Sequence, residues 1–408
     1  MTEDNDISIL RDLLKRYLEV CARHEQQELR DLWRRHNSLK KTRPLVIVRG
    51  GVAFHKEIPE ISDLQCEDPF FRNYESHLRD SLYKSTLGDD RIFEPWLTVR
   101  AAYKCTGWGV EINRDRTGDE AGTWKIDYPI KEEGDIGKLR APWHEIDEEE
   151  TARRRERLRE AVGDLIPVSV DRAPAYRTWS GDLSTDLGYL RGIENFMLDM
   201  SDRPQWLHRL VGFLRDGVLR THRQAEVAGD WGLNAHQNQS MPYAEELDDP
   251  APDVRGVNRS ELWYFAAAQE FALVGPKQHE EFLLQHQIPI MEKFGLTSYG
   301  CCEDLTEKID ILRQIPNLRR IAVTPWADVP RCAEQIGEDY VMSWRPSPER
   351  MVCSGFSEDR VRRVTEEAME ACRGLHVDIT LKDIQTVQNE PERLKKWAQI
   401  TRDVAEKY

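Results

Sequence analysis

The chain has 408 residues, 39% of them hydrophobic and 32% charged, and 58 basic against 73 acidic side chains leave it at −15. An acidic chain without a long basic run lacks the electrostatic footprint by which most proteins hold phosphate backbones. No segment approaches the roughly 20 apolar residues of a membrane span, and the acidic start from Met1 to Asp6 is no signal peptide. The expectation is a cytoplasmic protein that binds neither nucleic acid nor membrane.

Leu10, Leu13, Leu14, Tyr17, Leu18 and Cys21 recur at helical spacing, so residues 1–43 read as a helical extension. Pro44 to Val48 reads as a buried strand. Residues 60–164 alternate short apolar and polar runs, an insertion or lid, and close on a charged helix from Glu148 to Glu160. Its acids precede its arginines, in keeping with the helix dipole. Strand-like runs follow at Leu165–Val170, Trp231–Gln237 and Leu262–Ala267, separated by helices at Leu190–Met200 and Trp206–Leu219. Pro276 to Phe294 reads as a helix bent at Pro289.

The last third is more regular. Strand 296–300 precedes a helix capped at Asp304, with Leu305, Ile309, Leu312 and Ile315 on one stripe. Strand 320–324 precedes a helix ending near Gly337, and strand 340–343 precedes one from Ser357 to Gly374. Strand 377–381 leads into a last helix over 390–407. Alternating helices and near-continuous apolar strands imply a parallel sheet covered by helices. About eight candidate strands, with no glycine-rich dinucleotide fingerprint or P-loop, favour an α/β fold of the (β/α)8 TIM-barrel type over residues 44–408.

In such a barrel the residues just past each strand converge on one mouth. That rule gathers His236, Gln237 and Asn238; Glu270; Cys301, Cys302 and Glu303; Trp326; Trp344 and Arg345; and Lys382 and Asp383. Each has a plainer role open to it. His236 could be a structural histidine, the cysteines small hydrophobes, Glu303 a helix-start acid, and Lys382 and Asp383 partners of each other. The eight cysteines are too sparse for a disulfide framework, which suits a reducing compartment. Adjacent thiols near a carboxylate and an imidazole are a donor set that zinc uses, and a thiolate is also a soft nucleophile. The twelve tryptophans exceed ordinary usage, and Trp179, Trp326 and Trp344 are candidates for a pocket wall.

Three segments resemble the uroporphyrinogen decarboxylase superfamily, which includes corrinoid-linked methyltransferases. They are Gly181-Asp182-Leu183 through Gly192-Ile193-Glu194 to Asp202-Arg203-Pro204; Phe271 to Pro276 with Glu280-Glu281-Phe282; and Tyr299-Gly300-Cys301-Cys302-Glu303 to Leu381-Lys382-Asp383. The resemblance covers residues 165–408 and implies a (β/α)8 barrel, a small-molecule substrate and a corrinoid carrier protein as partner. It also implies zinc bound through a histidine two residues before a cysteine and through a later cysteine. This chain has Tyr299 in the first place and Lys382 in the second. The arginine-rich motif of the decarboxylases is absent between Arg43 and Lys56.

The expected function is therefore methyl transfer from a small methylated substrate, with a corrinoid as the expected acceptor. In that reading Cys301, Cys302, His236 and Glu303 hold a metal or do the chemistry, and Glu270 is a second acid or base. Arg345 and Lys382 fix an anionic group, and Asp182, Gln237, Asn238 and Asp383 complete the substrate site. The alternatives are a metal-independent decarboxylase, a retaining glycoside hydrolase using Glu270 and Glu303, and a non-catalytic binding barrel. Residues 1–160 could serve as a lid, as the face of a homodimer, or as the first barrel strands.

Overall fold

The computed structural model describes residues 2–50, 53–116 and 124–408. Eight parallel strands carry the architecture: β1 (Leu45–Arg49), β2 (Leu97–Arg100), β3 (Val168–Asp171), β4 (Trp263–Ala266), β5 (Leu296–Tyr299), β6 (Leu318–Val323), β7 (Val341–Trp344) and β8 (His376–Lys382). Six form one curled sheet in the order β1-β8-β7-β6-β5-β4, a half-barrel, and β2 pairs with β3 separately. Such strands are apolar on both faces because helices cover the outside while side chains fill the inside.

Side chains bridge the arcs between these two sheets. At one seam Asp90 Oδ2 accepts from the Val46 amide at 2.7 Å and Asp89 Oδ2 from the Val48 amide at 2.9 Å, so two carboxylates satisfy the open edge of β1. At the other, the segment 231–239 runs between β3 and β4. Asn234 Nδ2 donates to Ser169 Oγ at 3.3 Å, and the Gln237 amide donates to the Trp263 carbonyl at 3.2 Å. This segment is not the strand its apolar run predicts. Leu233–Ala235 form a short turn, and Gly232 makes only an isolated bridge to Arg255.

The helices of eight residues or more, in chain order, are α1 (Thr2–Cys21), α2 (His24–Asn37), α3 (Pro69–Lys84), α4 (Glu148–Val162), α5 (Leu183–Arg191), α6 (Ile193–Asp202), α7 (Pro204–Val227), α8 (Val329–Ile336), α9 (Glu358–Ala371) and α10 (Glu392–Ala405). The stretch 276–291 is helical with a wide π turn at Glu280–Leu284, ahead of the predicted break at Pro289. The helix expected from Asp304 onward shrinks to Ile309–Leu312, although Leu305, Ile309, Leu312 and Ile315 are all buried as the stripe demands.

α2 closes the N-terminal end of the sheet. Its Trp33 donates from Nε1 to the Asp90 carbonyl at 2.6 Å, and Asn37 donates to the carbonyls of Met241 and Tyr243. Above it, inside the sheet, lies a buried polar layer. Asp378 of β8 faces Arg320 of β6 at 2.6 Å, accepts from Ser343 Oγ at 2.9 Å and from Thr380 Oγ1 at 3.0 Å, and lies 3.8 Å from His36 Nε2. Burial lowers the His36 pKa against the pull of Asp378, leaving the ring neutral. Among the described residues no helix is long and apolar enough to cross a membrane.

Candidate functional site

At the C-terminal end of the half-barrel, β5 stops at Gly300, which takes φ +98 and would drive a Cβ to 2.7 Å from Leu305. Glycine alone enters that region freely, and the turn presents Cys301 and Cys302 side by side with their sulfurs 3.5 Å apart. Cys301 packs against Phe265 and Ala267, whereas Cys302 is exposed. Lys382, closing β8, places Nζ 3.2 Å from the Cys302 sulfur and 3.7 Å from that of Cys301, and pairs with Asp383. Arg345, just past β7, donates to the Cys301 carbonyl at 2.5 Å and to Gln239 Oε1 at 3.0 Å. Arg49, closing β1, donates to the Gln239 carbonyl at 3.2 Å.

Three cations around two thiols fix the local electrostatics. The Cys302 hydrogen bond, with Lys382 and Arg345, pulls the Cys301 thiol below its ordinary value, while burial works against it. Cys302 is pushed far up, first by its bond to Cys301 and then by burial. The pair titrates as a unit: its first proton leaves easily and its second hardly at all. Burial lowers the Arg49 pKa to about 10, with Arg345 adding repulsion. For Lys382 burial acts downward, but the thiolate and Asp383 outweigh it and hold the ammonium charged. The site is a pair of thiols, one of them acidified, beside three cations and the Asp383 carboxylate.

Glu303 has a different task from the one its type suggests. Its buried carboxylate accepts from the amides of Ala268 at 2.8 Å and of Cys301 and Cys302 at 2.9 Å each. It builds the loop that carries the thiols, with both oxygens engaged by backbone amides. Glu303→Ala, which strands three amides, is expected to cost about 3 kcal/mol or more in urea unfolding. A loss under about 1 kcal/mol would contradict this role.

The remaining predicted residues divide. Asp182 caps α5 by accepting from the Thr185 amide at 2.9 Å and reaches the Ala267 amide at 3.3 Å. Burial, then Glu270, raises its pKa to about 8. Glu270 accepts from Ser184 Oγ. Trp179 packs on Phe265 with ring centres 5.2 Å apart. Gln237 accepts from Thr178 Oγ1 at 2.6 Å, and Asn238 is spent on its own turn, bonding the Met241 carbonyl and the Ser240 amide.

Three expectations are corrected. His236 lies at the opposite end of β4, where its Nδ1 accepts from the Trp263 amide at 3.3 Å, and burial lowers its pKa to about 4. Trp344 and Trp326 face the helix layer, lining an outer groove of about 600 Å³ with α9 residues such as Val364 and Ala368. Strand alternation explains the tryptophan: Ser343 and Arg345 point inward, so Trp344 points out.

The zinc set fails the same geometric test. His236 is remote, Glu303 is committed, and Lys382 stands where the later thiolate would be. Tyr299 turns away from the mouth to bond His279 at 2.8 Å and Gln287 at 2.9 Å. Among the described residues no group of three or more His, Cys, Asp and Glu side chains is placed to hold a metal ion. Sequence reasoning missed Arg49 and Gln239. Arg49 ends a strand that was identified, and the strand-end rule, applied to the first strand as well as the later ones, would have found it.

No protein-family model matches the chain, and no curated protein matches it. Among solved structures it is similar to a methyltransferase from Methanosarcina mazei, with a TM-score of 0.51 and 14% identity over 92% of this chain and 98% of that one. At that identity the likeness concerns architecture, and this chain shares the fold of a methyltransferase over nearly its whole length.

Proposed function

We propose that the chain is a methyltransferase-like enzyme on a (β/α)8-type barrel, related to the uroporphyrinogen decarboxylase superfamily, with residues 44–408 as the barrel and 1–43 as its helical base. It accepts a methyl group from a small donor, with a corrinoid carrier protein as the partner. The observation that carries this reading is the thiol pair held against Lys382, with Arg345 and Arg49 behind it. A thiolate is the strongest nucleophile available to an unmodified side chain near neutral pH, and neighbouring cations populate it. Cys301 stores the negative charge, and a proton moving across the sulfur–sulfur contact transfers it to exposed Cys302. That sulfur attacks the methyl carbon. The S–C bond forms as the donor's bond to methyl breaks, and its electron pair stays with the leaving group.

Methylcobalamin serves as the probe. The full-length protein is expected to gain a methyl group on the Cys301–Cys302 peptide by mass spectrometry, and Cys302→Ser is expected to lose it. The same three cations favour a second reading, decarboxylation of an anionic substrate held by Arg49, Arg345 and Lys382. Sulfur that stays unmethylated, together with carbon dioxide release that survives Cys302→Ser, would replace the first reading by the second. A glycoside hydrolase is disfavoured because Glu303 is buried with both oxygens bonded to backbone amides.

A further inference from the structure

Cys301 and Cys302 are neighbours in the chain, and their sulfurs face each other at 3.5 Å. Neighbouring α-carbons lie about 3.8 Å apart, closer than the roughly 4.4–6.8 Å that an ordinary disulfide spans. A direct sulfur–sulfur bond would therefore be strained, whereas one bridging atom would leave both side chains where they are. The gap itself selects that atom. With thiolate bonds of about 2.3 Å, as zinc makes, sulfurs at this spacing subtend roughly 100° at the bridge. A linear two-coordinate ion needs its sulfurs about 4.6 Å apart, and a tetrahedral one opens the angle to about 109°. The narrower angle belongs to a pyramidal centre that keeps a lone pair.

Charge and ligand count point the same way. Lys382 Nζ stands 3.2 Å from the Cys302 sulfur and 3.7 Å from that of Cys301. A metal cation in place of the Cys302 proton would sit against that ammonium, and like charges in contact repel. The Asp383 carboxylate, 3.9 Å from the Cys302 sulfur, is taken up by Lys382. Among the described residues no third His, Cys, Asp or Glu joins the pair in a group fit for a metal ion. The hydroxide of a trivalent metalloid avoids both obstacles. It arrives uncharged, needs two thiols, and keeps its third bond for a hydroxyl or a carbon of its own.

We propose that Cys301 and Cys302 form a dithiol site for a trivalent arsenical, either arsenous acid or a monosubstituted arsonous acid. Each arsenic–sulfur bond forms as an arsenic–hydroxyl bond breaks, so two sulfurs displace two hydroxides. Each hydroxide leaves as water. One takes the Cys302 proton and the other a proton from the Lys382 ammonium, which solvent restores. Nothing is oxidised or reduced. The inference goes beyond methyl transfer, because the pair binds arsenic whether or not its sulfur accepts a methyl group.

Intact-mass spectrometry and calorimetry on the reduced full-length protein test it, with arsenite and phenylarsine oxide as probes. One arsenic per chain is expected, mapped to the 301–302 peptide. Dimercaptopropanol should remove it, and a monothiol in the same excess should leave it in place. Cys301→Ser and Cys302→Ser should each bind phenylarsine oxide about a hundredfold more weakly, because the second bond of a chelate forms at high effective concentration. Zinc should bind the parent more weakly than arsenite does. Should Cys301→Ser fail to fold, the exposed Cys302→Ser still decides. Undiminished affinity in the Cys302→Ser protein, an adduct on other cysteines, removal by the monothiol, or a preference for zinc overturns the proposal. Binding is read without a methyl donor, so a failed methylation leaves this result intact. A chain methylated at Cys302 that binds no arsenical keeps the first reading and loses this one.

Discussion

Replacing Lys382 with methionine is expected to slow alkylation of the cysteine pair by iodoacetamide about tenfold or more near pH 6.5, because each unit of thiol pKa is a factor of ten in thiolate below that pKa. In the parent protein the pair's first ionisation lies below the ordinary thiol range, so reactivity is already present at mildly acidic pH and rises little toward pH 8. Without the ammonium 3.2 Å from Cys302, the ionisation moves up, and reactivity should appear only as pH rises toward the usual thiol value. Burial quiets the other cysteines: Cys105 and Cys353 are buried. Burial raises Cys66 and Cys372 to about 12 and Cys21 and Cys332 to about 11. Peptide mapping after brief labelling should therefore find the adduct at 301–302. A Lys382→Met protein with the parent's pH profile would show that Lys382 does not set the thiolate, and the site's chemistry would need another source.

Arg320→Leu is expected to cost about 3–5 kcal/mol in stability, the largest effect of any single substitution considered, because it leaves Asp378 charged and unpaired in the middle of the sheet. Asp378 sits 2.6 Å from Arg320, both are almost fully buried, and the carboxylate stays ionised only through Arg320, His36 and Ser343. Its pKa is lowered despite burial, so the pair's stabilisation is present at neutral pH and fades as pH falls through the folded-state value. In Arg320→Leu only His36 and the Ser343 and Thr380 hydroxyls are left to oppose burial, so the Asp378 pKa should rise and the variant should lose less stability than the parent as pH falls. Urea unfolding at pH 7 and pH 5 measures both effects. Removing both charges together, in Arg320→Leu with Asp378→Leu, should recover much of the loss. A single variant as stable as the parent would mean that the layer is hydrated and weakly coupled.

The late strands were legible because each is a short apolar run bounded by polar turns, and β5 to β8 fall within two residues of their expected limits. Cys301, Cys302, Arg345, Lys382 and Asp383 followed from those limits. His236 did not, because 231–237 looks like a strand by composition but is held in place by side-chain and edge contacts. Two residues further on, Gln239 reaches the mouth instead. Trp344 and Arg345 are consecutive at the end of β7 and cannot both face inward, a constraint that alternation supplies. The Asp304 cap predicted a longer helix, yet the three amides gathered by Glu303 hold the preceding loop, and the chain becomes helical only at Ile309. Pairings such as Arg320 with Asp378 leave no periodic trace, since they join residues 58 positions apart through the fold alone.

The carboxylates of Asp89 and Asp90 at the β1 edge carry a consequence for how this protein can change. A backbone ladder would dictate register and tie the length of everything between β1 and β2 to the geometry of the wall. Here the contact is confined to one short clasp, in which the Asp90 amide donates to the Val46 carbonyl and the two carboxylates accept from the Val46 and Val48 amides, so the chain on either side of Asp89 and Asp90 can lengthen or shorten while the clasp keeps its place. Diversity in the upper rim can then accumulate through insertions and deletions at this seam, with the thiol-bearing half left undisturbed.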